Sequence, residues 1–400
     1  MNADRAANRL FEEFILAPML RAPMSSESVV IHKGLDNVYV CESKICYIDG
    51  ENSKLYYRGY SIEDLVARSD FSRVAYLLLK EKYPTKTESE QFAEVLKRYL
   101  SLPSAVSSFL EKNQNDIDPM DSLRTSVSLL GGLSKNNMNT GSNSLEQEAT
   151  RLVGSMPALV PAVWRSKKGE RLLEPRDDLN ISANFLYLLL GKPPSEYEAK
   201  IMDTFMTLHA EHDLNASTFA CMVTASTLSD VYSSVISGIG ALKGPLHGGA
   251  NVAALRFIRS VGDAKNADKA VEETLKSGQR IMGFGHRIYK NYDPRYKILK
   301  KIAGELAERT GRKALFETAQ AIETAAAARL QQHGIYPNVD FYSGVVLSLL
   351  GIEPELFTPV FAMSRTVGWV AHVLEYTKEN RLIRPKARYI GSIGLEVPAY

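Results

Sequence analysis

Apolar positions recur every three to four residues along most of the chain. The runs SIEDLVARSDFSRVAYLLLKEKY (61–83), EQFAEVLKRYLSL (90–102), DLNISANFLYLLLG (178–191) and ETAQAIETAAAARLQQ (317–332) read as helices. Strand signal is confined to VYVCESKICYIDGENSKLYYRGY (38–60). There, β-branched and aromatic runs flank DGENS, which predicts a hairpin. Polar SKNNMNTGSNS (134–144) reads as a loop. The pattern predicts an all-α protein with a small N-terminal β-hairpin.

No apolar run approaches the ~20 residues that span a bilayer. The longest local run, VVLSLLGI (345–352), is far too short. At 400 residues the chain exceeds the range in which one core keeps growing, so two domains are expected. Periodicity does not locate their boundary. Net charge is +2, from 48 Lys and Arg against 46 Asp and Glu, with no basic block or acidic tail. That balance argues against nucleic acid and a membrane surface as partners.

Cys41, Cys46 and Cys221 are odd in number and lack CxxC spacing. They read as reduced thiols of a cytoplasmic protein rather than a disulfide framework. The N-terminal stretch carries Arg5, Arg9 and Arg21 on a partly amphipathic pattern. Asp4, Glu12 and Glu13 do not suit a transit peptide. Residues 1–28 read as an arm of uncertain status, with Met24 as an alternative start.

Five segments carry candidate chemistry. In GPLHGGAN (244–251), His247 stands just before a helix that would begin near Asn251. A helix N-terminus disfavours imidazolium, so a neutral imidazole aimed at a carbonyl is one reading. A glycine-rich turn carrying a histidine by chance is the other. In GFGHRIYKNYDPR (283–295), Asp293 and Pro294 form a helix start that puts Arg295 in the first turn. An arginine there suits a bidentate carboxylate. His286, Arg287 and Lys290 precede it. In PNVDFYSG (337–344), Asp340 is either a plain N-cap or a general base at a helix end.

In LHAEHDLNASTFA (208–220), His209 and His212 lie three apart, as on one helix face. No nearby ligand completes a zinc set, so one reads as an anion donor and the other as a core residue. Arg365 lies within an apolar helix and needs an anionic partner, from a side chain or a ligand. Arg384, before Pro385, is placed to reach outward. GIGALKG (238–244) lacks dinucleotide-loop spacing, and no nucleotide-hydrolysis loop is present.

Taken together, GPLHGGAN, GFGHRIYKNYDPR and PNVDFYSG resemble the citrate synthase family in order and separation. EHDLNASTF (211–219), MSR (363–365), NRLIRPKARY (380–389), YRGYSIEDL (57–65) and PMDSLRTSVSLLG (119–131) extend the resemblance over about Gly34 to Arg388. It is to the short form, without the added N-terminal domain of NADH-inhibited members. The resemblance implies a homodimer with a large helical domain at 29–250 and 352–400 and a small one at 251–351. It implies condensation of acetyl-CoA with oxaloacetate, then thioester hydrolysis to citrate and CoA, as in the tricarboxylic acid cycle.

By that resemblance, Asp340 is the base, His247 donates to the thioester carbonyl, and His286 polarises and protonates the ketone. His212, Arg295, Arg365 and Arg384 bind oxaloacetate, Arg384 coming from the partner subunit. Gly283, Phe284 and Gly285 approach the adenine of CoA, with Lys290 near its phosphates. The resemblance implies no metal and no cofactor. The nearest rival is 2-methylcitrate synthase, which uses propionyl-CoA with the same groups. One methylene is worth only ~1–3 kcal/mol, and no motif reports the pocket's size. A catalytically dead helical binding protein and a metal-dependent hydrolase built on His209 and His212 are the more distant alternatives.

Overall fold

Asp49 closes the one sheet found among the described residues. Its carboxylate accepts hydrogen bonds from the backbone N–H and side-chain amide of Asn52, at 3.0 and 2.8 Å. This ties the DGENS turn between β1 (Cys46–Asp49) and β2 (Lys54–Tyr57). The strands pair antiparallel, Cys46 opposite Tyr57 and Asp49 opposite Lys54. A short β3 (Tyr60–Ser61) adds to β2. The hairpin expected over 38–60 is thus confined to 46–61. Residues 41–45 lie outside the strands, although the Ile45 carbonyl accepts from the Arg58 N–H at 2.8 Å; the Lys44 N–H donates to the Glu375 carboxylate, at 3.0 Å.

The computed structural model describes residues 30–112, 117–134 and 142–398. The arm expected at 1–28 and most of the loop expected at 134–144 lie outside them. The chain divides into two compact units, one of Cys41–Ile383 and one of the terminal segments up to Val40 and from Arg384 onward. In the terminal unit the described residues hold one 3-10 turn at Lys33–Leu35 and no strand.

The unit Cys41–Ile383 is helical. The apolar run at 61–83 forms two helices, α1 (Ile62–Arg68) and α2 (Phe71–Lys80). Asp70 makes the break by accepting from the Arg73 N–H at 3.0 Å, a cap worth about 1 kcal/mol. There follow α3 (Lys86–Arg98), α4 (Ser104–Lys112), α5 (Pro119–Gly132) and α6 (Ser142–Lys167). Next come α7 (Ile181–Leu190), α8 (Glu196–His209), α9 (Ala216–Ala225) and α10 (Val231–Lys243), then α11 (Ala250–Val261) and α12 (Ala267–Lys276). The last four are α13 (Pro294–Thr310), α14 (Lys313–Leu330), α15 (Val339–Leu349) and α16 (Phe357–Lys378).

α16 is apolar around most of its circumference, and such a helix belongs inside a core. Phe357, Val360, Met363, Val367, Trp369 and Val370 are buried along it. It packs against α2, α6, α8, α9 and α10. A second set, α11, α13, α14 and α15, packs mutually, and α8 touches α13. Where these two sets meet, helix ends converge.

Candidate active site

Most of the candidate side chains stand at helix termini. α8 stops at His209, and His212 follows in the connection to α9. His247 precedes α11, and His286 lies in the segment before α13. Arg295 and Asp340 occupy the first turns of α13 and α15. Only Arg365 projects from mid-helix.

The two buried arginines have different company. Asp293 caps α13 as its sequence predicts, then takes the Arg295 side chain in a fork, Nε at 3.0 Å and Nη2 at 2.7 Å. Both residues are almost wholly buried, at 2% and 1% exposure. Burial resists the charge on Asp293, but Arg295 holds its carboxyl below the usual range. The fork expected to await a ligand is therefore filled by Asp293. Arg365 is 2% exposed. Its Nε donates to the His209 carbonyl at 2.8 Å, and its guanidinium lies over the Phe361 ring. Neither terminal nitrogen of Arg365 has a hydrogen-bond partner among the described residues.

Beside them, His212 and His286 lie edge to face, with ring centroids 5.2 Å apart. His286 Nδ1 accepts from the backbone N–H of Ile288 at 3.0 Å and of Tyr289 at 3.2 Å. Backbone N–H groups only donate, so Nδ1 is unprotonated and the neutral ring carries its proton on Nε2. Burial brings the His286 pKa down to about 4, with Asp293 opposing and Arg295 assisting. Burial, then Arg295, also holds His212 well below the ordinary histidine value.

His247 is fixed from the other side. Its Nε2 faces the Ser217 backbone N–H at 3.3 Å and the Ser217 hydroxyl at 2.8 Å. The Trp369 indole N–H donates to that hydroxyl at 3.1 Å. With a backbone N–H directed at Nε2, the neutral ring carries its proton on Nδ1. Burial, and then Arg365, lowers the His247 pKa to about 4. The ring is neutral as its position suggested, with burial and Arg365 as causes that position did not reveal.

Asn338, not Asp340, caps α15. Asn338 Oδ1 accepts from the Asp340 N–H at 2.9 Å. The plain-cap reading of Asp340 is therefore set aside. Its carboxylate accepts no hydrogen bond among the described residues. Burial raises its pKa to about 6, against the pull of Arg295 and Arg365. Arg365 thus acts on both Asp340 and His247.

The same Asn338 holds the glycine loop. Its Nδ2 donates to the Gly285 carbonyl at 2.8 Å and its N–H to the Gly283 carbonyl at 2.9 Å. The Gly285 N–H donates to Tyr336 O at 2.8 Å, and Phe284 bridges to Pro337. Gly283 has φ 84°, and a Cβ there would lie 2.8 Å from Phe341. Glycine is needed for both reasons.

The chain matches the family model "Citrate synthase, C-terminal domain" over residues 34–386. It is 40% identical over 362 residues to a citrate synthase of Deinococcus radiodurans, covering 90% of this chain and 96% of that one. It is 39% identical over 369 residues to a 2-methylcitrate synthase of Shewanella oneidensis, covering 92% and 97%. Its fold matches the citrate synthase of the archaeon Thermoplasma acidophilum, solved in ternary complex with carboxymethyl coenzyme A and oxaloacetate. The TM-score is 0.88 at 33% identity, covering 93% of this chain and 99% of that one.

The chain belongs to the citrate synthase family.

As a citrate synthase family member it is an acyltransferase with the expected, mostly helical fold. His212, His286 and Asp293 each place a ligand atom within 4.8 Å of the others. They suit a metal poorly, because the Asp293 oxygens already accept from Arg295 and from the Val339 N–H. His209 is a core residue. Its Nδ1–H donates to Phe205 O at 2.8 Å and its ring stacks on Phe205. Because α8 ends at His209, the two histidines do not share a helix face. Lys290 pairs with Glu51 of the hairpin turn. Arg384 is exposed, in the terminal unit.

Sequence reasoning missed several supporting groups. Ser217 and Trp369 fix His247, yet local patterns do not tie residues so far apart. Buried Glu211 pairs with His372 at 3.0 Å and acts on Arg365. An acid and a histidine so placed leave no periodic trace. Tyr289 and Asn338 lay within the quoted motifs without a role.

Proposed function

We propose that this chain condenses the acetyl group of acetyl-CoA with oxaloacetate and then hydrolyses the thioester, releasing citrate and CoA. The observation that carries this reading is Asp340. It is a half-buried carboxyl with no hydrogen-bond partner among the described residues and a pKa raised to about 6, beside two arginines. A base poised near neutrality suits abstraction of a weakly acidic carbon-bound proton.

Asp340 takes a proton from the acetyl methyl group. His247 donates its Nδ1–H to the thioester oxygen and stabilises the enol without becoming an imidazolium. The enol carbon then attacks the ketone carbon of oxaloacetate, and His286 Nε2–H delivers a proton to the ketone oxygen. Water hydrolyses the resulting thioester. The free nitrogens of Arg365, together with Arg295 and His212, take the two carboxylates. Gly283, Phe284 and Gly285 offer backbone to the adenine. Lys290 turns from Glu51 to the CoA phosphates, leaving an exposed pair worth ~0–1 kcal/mol. No metal enters the reaction.

The same reading makes 29–250 with 352–400 a large domain and 251–351 a small one. His212, His247 and Arg365 fall on the first, His286, Arg295 and Asp340 on the second. Closure between them excludes water while the enol exists. Gly351, at φ 84°, stands at one crossing. The active form is a cytoplasmic homodimer in which Arg384 of one subunit completes the oxaloacetate site of the other.

A 2-methylcitrate synthase reading has its support in the Shewanella relative. Comparing kcat/KM for acetyl-CoA and propionyl-CoA with oxaloacetate decides between them. A clear preference for propionyl-CoA contradicts the first assignment.

A further inference from the structure

The donors of the oxaloacetate pocket as proposed are arginines and imidazoles. Oxaloacetate presents five oxygens, four of them carrying carboxylate charge. One of the two arginines has its fork filled by Asp293. Within one subunit that leaves Arg295 Nη1, the terminal nitrogens of Arg365, one nitrogen of His212 and the His286 Nε2–H, which Arg384 of the other subunit joins in the proposed dimer.

Tyr289 stands among these groups. It is 3% exposed, with its ring centroid 4.6 Å from that of His286 and 5.7 Å from that of His212. Its hydroxyl meets His212 Nε2 at 3.3 Å. It has no other hydrogen bond among the described residues. An O–H···N contact this long is loosely made. A buried hydroxyl held by one weak bond is under-satisfied, which costs stability unless something else supplies the missing partner. Arg295 and Asp293 act electrostatically on the same hydroxyl, so it sits within the charged pocket.

The backbone keeps the ring there. The Tyr289 N–H donates to His286 Nδ1, and the next N–H, of Lys290, donates to Gly50 O of the hairpin turn at 3.0 Å. Gly50 is needed for this approach, since a Cβ on it would lie 2.3 Å from the Ile288 carbonyl. One residue therefore presents its amide to the first histidine and its hydroxyl to the second.

We infer that Tyr289 is a further oxaloacetate-binding residue: its hydroxyl leaves His212 Nε2 when substrate enters and donates to a substrate oxygen. The hydroxyl adds a neutral donor between His212 and His286. It selects for an anion with an oxygen at that point without adding charge to a pocket already holding two arginines. The inference rests on the proposed oxaloacetate reading.

The test is Tyr289→Phe, which keeps the ring packed against both imidazoles. Calorimetric binding of oxaloacetate without acyl-CoA is measured beside the KM for each substrate and the unfolding midpoint. Loss of one hydrogen bond to a charged ligand predicts about tenfold weaker oxaloacetate binding. The oxaloacetate KM rises in step, while the acetyl-CoA KM and the midpoint stay near wild type. In a double variant with His212→Gln the two losses are less than additive. Unchanged oxaloacetate binding by Tyr289→Phe overturns the inference alone. So does a lowered midpoint with equal losses for both substrates, which would make the hydroxyl a support of the fold. A wild-type chain that binds no oxaloacetate overturns the inference together with the function it rests on.

Discussion

The backbone N–H of Ser217 is directed at Nε2 of His247, 3.3 Å away. This contact determines which nitrogen of the neutral ring holds the proton and leaves Nδ1–H to donate to the thioester in the reaction proposed. The Ser217 hydroxyl adds a second contact, at 2.8 Å. Ser217→Ala keeps the backbone donor and loses the hydroxyl. The expected result is a fall in kcat of about tenfold with little change in the oxaloacetate KM. Steady-state kinetics check this. An unchanged kcat would make the hydroxyl dispensable to His247.

Asp340 should govern the acid limb of the pH profile. As a base it works ionised, so kcat/KM for acetyl-CoA falls as pH drops through about 6. His247 and His286 titrate near 4 and leave no break between pH 6 and 8. A pH series of initial rates tests both statements.

The same shift predicts a gain in stability. The folded chain holds the Asp340 proton more tightly than the unfolded chain, at about 6 against the ordinary aspartate value of 3.8. The cost of ionising it is absent below the unfolded value and fully present above the folded one. At pH 7, Asp340→Asn removes that cost. It should stabilise the chain by up to about 3 kcal/mol, solvent screening at this half-buried carboxyl reducing the gain, while abolishing condensation. Denaturant unfolding at pH 7 and at pH 4 tests the sign, most of the gain being lost at the lower pH.

Asn338 joins two functions that a substitution can separate. Asn338→Asp keeps the cap on α15 and loses the donor to Gly285. Asn338→Ala loses both and should cost about 1–2 kcal/mol more in stability. Both variants should raise the acyl-CoA KM, read from steady-state rates, because both release the glycine loop.

Much of the frame was legible in the sequence because local chemistry controls it. Asp293 and Pro294 announce the start of α13, and DGENS announces the hairpin turn. The 61–83 run was less legible, since the Asp70 cap that divides it interrupts the apolar period only briefly. Within the site, quoted motifs held His212, His286, Arg295 and Arg365, which the fold brings to one place. What stayed hidden were partners set by packing. The Asp293 fork on Arg295 lies within one motif, but its filling depends on burial of both groups. Glu211 with His372, and Trp369 with Ser217, are pairings across elements far apart in sequence. Arg365 was expected to need an anion, and only the structure shows Glu211 acting on it while two of its nitrogens stay open.

The central claim is that Asp340 removes the proton that starts condensation. CoA release from acetyl-CoA and oxaloacetate should be measured for wild type and Asp340→Ala, with oxaloacetate binding followed by calorimetry on both. The account predicts brisk release by wild type, release at least a thousandfold lower by Asp340→Ala, on the scale of losing a catalytic base, and oxaloacetate affinity in the variant close to wild type. Undiminished turnover by Asp340→Ala would contradict it.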